Sequence, residues 1–451
     1  MEKTAKKKPE KIKFTREEKS WIMYDWANSS FATIMLAAVF PVFFVSVAGG
    51  EGTPGSMWWG YGASGSRLLL AFAAPIIGAI IDYKGYKKRL FITFLSLGLL
   101  AHFFLAFQTR WQLLLVGYVI ANIFWSACNL VYDSYLPDIT TPERMDRVSA
   151  NGYAMGYIGG STIPFVISIA LIMISMDMFD VSAIPFLDNL DMTLAVQISI
   201  VLTAVWWGLF SIPMIRDVHH KHGSAVPEQH VVLETFRSVI STAVRIFSNK
   251  GLFLYIVAYF FYIDGVGTVI TMATAYGAEL ELGMVGMIGA LFVTQIVAVP
   301  FSIMFGRLSK KTNPLNLIFA AILIYMGICV VGFLMGFGLE SAWFGISEAT
   351  ILFWILAAMV GTVQGGIQAL SRSCFGRLVP PENSGEFFGF FEIFSRFSSI
   401  LGPFLYATIL RTTGRASFSI LSTVLLFGVG LTILIVARKD LRPQLDEQLE
   451  A

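Results

Sequence analysis

The sequence predicts an all-α integral membrane fold: twelve transmembrane helices in two parallel-repeat six-helix bundles. Three observations predict it. Of 451 residues, 56% are apolar and only 14% charged, whereas soluble domains carry about 25% charged residues. The apolar residues fall in blocks about 18 residues long or longer, enough to cross about 30 Å of hydrocarbon. Finally, landmarks along the chain recur at one fixed spacing, the mark of an internal repeat.

Hydrocarbon offers no hydrogen-bond partners, so blocks of this length must bond internally as helices. A membrane barrel would instead show alternating segments of about ten residues. After an N-terminal tail (1–20), the blocks place helix 1 at 21–48, helix 2 at 57–81 and helix 3 at 90–107. Helix 4 follows at 113–136, helix 5 at 148–174 and helix 6 at 193–215, closing an N-terminal bundle over 21–215. A polar linker covers 216–250. The C-terminal bundle, 251–437, holds helix 7 (251–276), helix 8 (283–305), helix 9 (316–337), helix 10 (349–371), helix 11 (387–410) and helix 12 (417–437). A tail over 438–451 ends the chain. Ser46, Val47 and Ala48 resemble a signal-peptidase site, but the apolar stretch before them is longer than a signal peptide, so helix 1 is expected to stay uncleaved.

Charge sets the expected orientation. The tails and the loops after even-numbered helices hold 27 of the 32 Lys and Arg residues, and the opposite loops hold three, Arg110, Arg411 and Arg415. Positive loops stay in the cytoplasm, which puts both termini inside. A bacterial inner (plasma) membrane suits this chain, because the Asn-x-Ser sequon at Asn28 falls inside helix 1.

The repeat has a spacing of 239 residues. It relates Asp25 to Asp264, Asn129 to Gln368, Pro142-Glu143 to Pro381-Glu382, and Pro164-Phe165 to Pro403-Phe404. Parallel repeats of this size are a transporter architecture with the solute site between the halves near mid-membrane.

The linker alternates Val231, Val232, Phe236, Val239, Ile240, Val244 and Phe247 with Glu234, Arg237 and Arg245, as an amphipathic helix on the cytoplasmic surface would. His219, His220, His222 and His230 cluster there without a second ligand set, and a solvated loop is the simpler reading. Cys128, Cys329 and Cys374 give no disulfide framework and no metal spacing. The chain has no phosphate-binding Walker loop, HExxH zinc motif or GxSxG elbow, so neither ATP drive nor hydrolytic catalysis is expected. Neither a metal nor a cofactor nor nucleic acid is implied, and a monomer is the expected unit.

Between helices 2 and 3 stand Gly78, Asp82, Gly85, Lys87, Lys88 and Arg89. A small residue at 78 lets a neighbouring backbone approach, Gly85 permits a tight turn, and the lysines are expected to face the cytoplasm. This segment resembles the loop signature of the major facilitator superfamily. A second copy, Gly306-Arg307-Leu308-Ser309-Lys310-Lys311, follows helix 8 with glycine at the place of Asp82. The resemblance implies a gate in which Asp82 meets the N-terminal end of helix 11 near Glu386–Phe388 and a basic partner. Asp133 and Arg372 belong to the same expected gate.

A narrower resemblance lies in Tyr24–Thr33, Tyr132–Asp138, Phe261–Gly265, Gly365–Ser373 and Glu386–Glu392. These segments are similar to the vacuole-effluxer-like branch of that superfamily, the autophagy-related protein 22 type. The resemblance implies a transporter of small organic solutes, with amino-acid efflux as the substrate suggested by the yeast members. Arg67 departs from it, standing where an uncharged residue is expected.

Ionisable groups at bilayer depth are costly and mark function or pairing. Asp25, Arg67, Asp264, Glu392 and Arg396 are such groups, with Glu392 and Arg396 four apart on one helix face. Asp264 and Glu392 are candidates for proton coupling, and Arg67 or Arg396 for holding a substrate carboxylate. The structural alternative is that these charges neutralise one another and fix helix register, and an Arg67–Asp264 bridge across the halves would be a gate instead. Asn28, Asn122, Asn129, Gln295, Gln364 and Gln368 complete the set of candidate interior polar residues. The function expected is secondary active transport by alternating access with proton coupling. A transporter-fold sensor or a lipid-handling protein without solute flux is the alternative.

Overall fold

A computed structural model describes residues 13–48, 55–161, 163–179, 184–225, 231–282 and 284–450. The tail before Lys13 and His230 lie outside the described residues. Among those described, twelve helices are long and apolar enough to cross a membrane: Arg16–Ala48, Trp58–Ile81, Tyr86–Ala106, Trp111–Ser134, Pro142–Ser175, Met192–Asp217, Lys250–Ala273, Gly289–Leu308, Pro314–Glu340, Ile346–Leu378, Pro381–Thr413 and Ala416–Leu445. They are helices 1 to 12 in that order. Across these twelve spans, Lys13, the helix Val231–Ser248 and Glu450 fall at one end, together with the basic loops.

Several helices outrun their apolar blocks. Helix 1 begins at Arg16 because the Thr15 hydroxyl accepts from the Glu18 N–H and the Glu18 carboxylate accepts from the Thr15 N–H, a reciprocal cap that fixes the start. Helix 1 also contains a π-helical segment, Ala32–Ala38, which apolar periodicity does not announce. Helix 10 runs past the expected end at 371 to Leu378, and helix 12 consumes most of the expected tail. Hydropathy marks where lipid ends, whereas hydrogen bonding and packing decide where a helix ends.

Two apolar cores form. One gathers Trp21, Tyr24, Phe31, Tyr132 and Trp207 from helices 1, 4 and 6. The other gathers Tyr255, Tyr262, Tyr325, Phe375 and Phe427 from helices 7, 9, 10 and 12. Helix 2 lies against helix 11, and helix 5 against helix 8. These two seams join the first six helices to the last six. At the first seam, a side chain at Gly78 would collide with the Gly385 carbonyl, so the two backbones touch there as the sequence anticipates.

Candidate functional site

The inter-half polar contacts gather toward the basic end, and Arg372 of helix 10 is their centre. It is 5% exposed. Its guanidinium donates to Asp133 of helix 4 at 3.0 Å and to Asp25 of helix 1 at 3.3 Å. It also donates to the Ser149 hydroxyl at 2.9 Å and the Ser149 carbonyl at 3.1 Å on helix 5. The guanidinium lies over the rings of Trp21 and Tyr153, which supply dry walls and π density to a cation. Asp25 also accepts from the Tyr132 hydroxyl at 2.7 Å. Asp133 and Arg372 are 239 residues apart, so repeat-equivalent positions carry opposite charges and meet.

One turn further toward the basic end, Arg377 of helix 10 pairs with Asp146 of helix 5, which also accepts from Ser373 at 2.6 Å. The repeat partner of Arg377 is Asp138, since 377 minus 138 is again 239. Asp138 is occupied within the first half by Lys87 at 3.0 Å. Lys87 is buried and also donates to the Ser134 carbonyl and, across the halves, to the Ser384 hydroxyl at 3.1 Å. The expectation that Lys87 faces the cytoplasm is therefore corrected: the turn at Gly85, with φ +83°, folds it inward onto Asp138. Lys88 is half-buried beside it.

Asp82 meets the N-terminal end of helix 11. Its carboxylate accepts from the Gly385 N–H at 2.7 Å and the Glu386 N–H at 2.9 Å, in the first turn of the helix Ser384–Thr413. Those N–H groups have no partner within their own helix, and a carboxylate suits the positive helix end. Burial nevertheless pushes Asp82 up to about 7, partly offset by Lys87 and the two N–H bonds. Lys87 is the basic group that acts on it through space. In the second half, Gly306 rests against Asp146 and Arg147 of helix 5.

The mid-membrane residues separate into smaller groups. Glu392 and Arg396 pair along helix 11, with Arg396 Nε 2.7 Å from the carboxylate. Arg67 lies near Arg396 and Tyr118. Glu392 in turn is close enough to act on Asp133 and Tyr153, which links this group to the Arg372 network. Asn122 donates to Ser66 at 2.8 Å, and its own oxygen has no partner among the described residues. The same holds for the Asn129 oxygen. Asn28 is buried, and its carbonyl accepts from Trp125 at 3.1 Å.

Arg67 and Asp264 do not meet. Asp264 is 1% exposed and leans on the backbone at Gly402 of helix 11. Neither of its oxygens has a hydrogen-bond partner of good geometry among the described residues. The close helix 7–helix 11 approach at Gly402, absent from any sequence pattern, draws Asp264 into the second half and away from helix 2.

Gln295 and Gln364 line a cavity with Thr294, Tyr276 and mostly apolar neighbours, about 740 Å³ with its open mouth included. It lies among helices 7 to 10 and 12, within the second half rather than between the halves. Gln368 donates to the Gln364 carbonyl at 3.1 Å. Among the described residues, no cluster of three His, Cys, Asp or Glu side chains could hold a metal. His219 turns to Glu17, and His222 to Asp138.

The family described as Vacuole effluxer Atg22 like matches residues 55–441. The chain belongs to that family. It is 42% identical over 441 residues to the MFS-type transporter YxiO of Bacillus subtilis (strain 168), covering 97% of this chain and 98% of the relative. It is 22% identical over 562 residues to autophagy-related protein 22 of Coccidioides immitis (strain RS), covering 96% of this chain and 89% of the relative. Among solved structures it is similar to FucP, a major facilitator superfamily transporter in the outward conformation, with TM-score 0.67, 16% identity and coverage of 93% and 97%. It is also similar to the human organic anion transporter MFSD10, with TM-score 0.64, 13% identity and coverage of 93% and 98%. The fold is thus that of major facilitator transporters, and the family is one of transporters, not enzymes.

Sequence reading missed Asp138, Asp146, Ser149 and Arg377. The 239-residue offset, applied to every charged residue, would have returned Asp138 with Arg377. Asp146 carries no such signal, because its repeat position holds Gly385.

Proposed function

We propose that this chain is a secondary active transporter that moves a small organic solute by alternating access, with amino acids as the first candidates. The observation that carries the reading is the Arg372–Asp133 bridge. It joins repeat-equivalent positions of the two halves at one end of the bundle, where parting would hydrate both charges and open that end. The halves, 21–215 and 251–437, would rock as units about the helix 2–11 and helix 5–8 seams. The basic end is the cytoplasmic one by the positive-inside rule, in a plasma membrane as the bacterial relative suggests.

The substrate site of this proposal lies above the bridge. Arg67 and Arg396 offer two guanidiniums near Glu392, a pattern that suits a zwitterion. A guanidinium fork takes a carboxylate in two parallel bonds, and Glu392 and Asp133 face its ammonium. Asp264 is the proposed carrier of a coupling proton, and the family's description as effluxers favours export. A monomer suffices, since every group named comes from one chain.

The test is counterflow in proteoliposomes. Exchange of a labelled amino acid is expected with the wild type and is lost in Arg67→Ala. Absence of exchange across a panel of amino acids, peptides, nucleosides and sugars would sink the substrate proposal.

A further inference from the structure

The linker contributes an unusual helix, Val231–Ser248. An amphipathic helix on a soluble core turns its apolar face inward. This one does the reverse. Leu233, Phe236, Ile240, Val244 and Phe247, spaced by three or four residues, are 50–64% exposed. The face turned inward carries Thr235, Thr242 and Ile246. That face grips the closed end. Ser238 and Thr242 both donate to the carboxylate of Glu386, whose backbone N–H is held by Asp82. Thr235 meets the Tyr83 hydroxyl at 3.3 Å. Just before the helix, the Ser224 N–H donates to the Asp82 carbonyl at 2.9 Å.

We infer that the outward stripe is seated in the bilayer interface, and that this seating holds the linker helix against Glu386 and so keeps the basic end closed. Three observations commit the stripe to lipid. The helix lies against helices 2, 7 and 11, at the base of the membrane-spanning body. Phe247 at its end packs on Phe253 in the first turns of helix 7, ring centres 5.3 Å apart, so the stripe continues onto a membrane-spanning surface. Arg237 and Lys250, each more than 70% exposed, flank it with cations that suit anionic head groups. A helix with one face in lipid and the other on a gate transmits the state of the membrane surface to the gate.

The experiment uses the full chain in proteoliposomes. Ile240→Cys carries an environment-sensitive fluorophore, since Cys128, Cys329 and Cys374 are buried and free. Brominated acyl chains are expected to quench it and aqueous iodide is not. Separately, spin labels at Lys84→Cys and Glu382→Cys report the distance across the basic end. Replacing Phe236, Ile240 and Val244 together by serine should shift that distance to longer values. Ser238→Ala with Thr242→Ala should do the same while a fluorophore at Val244→Cys stays quenched by lipid. Quenching by iodide, or shielding from both quenchers, overturns the lipid seating. An unchanged distance in the triple serine protein overturns the coupling. Neither readout requires a transported solute, so failure here is separate from failure of the transport proposal.

Discussion

Asp25 and Asp264 occupy the same place in two copies of one six-helix plan, yet their surroundings have nothing in common. Asp25 is held by Tyr132 and Arg372, whereas Asp264 is buried against Gly402 with no hydrogen-bond partner of good geometry among the described residues. The copies diverge at other positions as well. At the 239-residue offset Asp133 faces Arg372 and Asp138 answers to Arg377, and in the second loop copy glycine stands at the place of Asp82. The first half supplies the carboxylates of the interface, Asp25, Asp133 and Asp146, and the second supplies its guanidiniums, Arg372 and Arg377. Two copies of like charge would repel where they meet. Inverting the charge in one copy makes the halves complementary at a contact that water can still replace.

Arg372 tests that idea most severely. Removing it in Arg372→Ala strands Asp25 and Asp133 in a dry setting, and breaking a buried pair from one side costs about 3–5 kcal/mol. The expected result is a lower unfolding temperature in detergent together with loss of counterflow. The sharper version exchanges the mates. Asp133→Arg combined with Arg372→Asp should restore more stability than either single change leaves. If the double variant is no better than the worse single one, the charge inversion is not what joins the halves.

Within the loop signature, Lys87 and Lys88 provide a second contrast. Lys87→Ala uncovers Asp138, and a loss of about 3–5 kcal/mol is expected on the same reasoning. Lys88→Ala, half-buried with its charge not needed by Asp138, should stay within about 0.5 kcal/mol. Unfolding curves of the two variants decide. Equal losses would mean that the signature acts through total charge and not through the Lys87–Asp138 pair.

That contrast also shows what the sequence could and could not disclose. Apolar blocks exposed the twelve spans because lipid imposes one length on all of them. The spacing of Asp25 and Asp264 exposed the repeat because both copies keep the same helix register. Asp82 was placed at helix 11 by its signature. The partner of Lys87 was hidden, because a basic residue in a loop looks alike whether it faces water or folds under a turn. Three of the 27 residues read as topology signals, Lys87, Arg372 and Arg377, are buried ion-pair or hydrogen-bond partners. The isolation of Asp264 was hidden as well, since it depends on how closely helix 7 approaches Gly402.

Asp82 should respond more gently. Asp82→Asn keeps an acceptor oxygen for one N–H but loses the charge at the helix end, a change of about 1 kcal/mol. Its titration gives a direction as well. With the end closed, burial holds Asp82 up to about 7, against an ordinary value of 3.8. The closed form therefore binds the proton more tightly than an opened, hydrated one. Closure is best supported below the ordinary value and loses that support as the pH rises through about 7. The distance between labels at Lys84 and Glu382 should lengthen over that range in the wild type and stay flat in Asp82→Asn. A wild-type distance independent of pH would show that the two backbone N–H groups, and not burial, govern Asp82.

Asp264 gives the smallest change in stability and the most informative one in function. Asn has nearly the shape of Asp, and no cation among the described residues loses a partner when Asp264→Asn is made. The expected change in unfolding free energy is within about 0.5 kcal/mol, whereas Asp25→Asn removes a charge from Arg372 and costs more. Transport should separate the two residues in another way. A carboxylate needed only to carry a proton is dispensable when solute exchanges for solute, so counterflow should survive in Asp264→Asn. Accumulation driven by an imposed pH gradient needs the proton to move, and should be lost. Asp25→Asn should weaken both, because it loosens the contact that every cycle must close. Gradient-driven accumulation that persists in Asp264→Asn would remove Asp264 from the coupling step and leave its unmatched burial as a feature of helix packing alone.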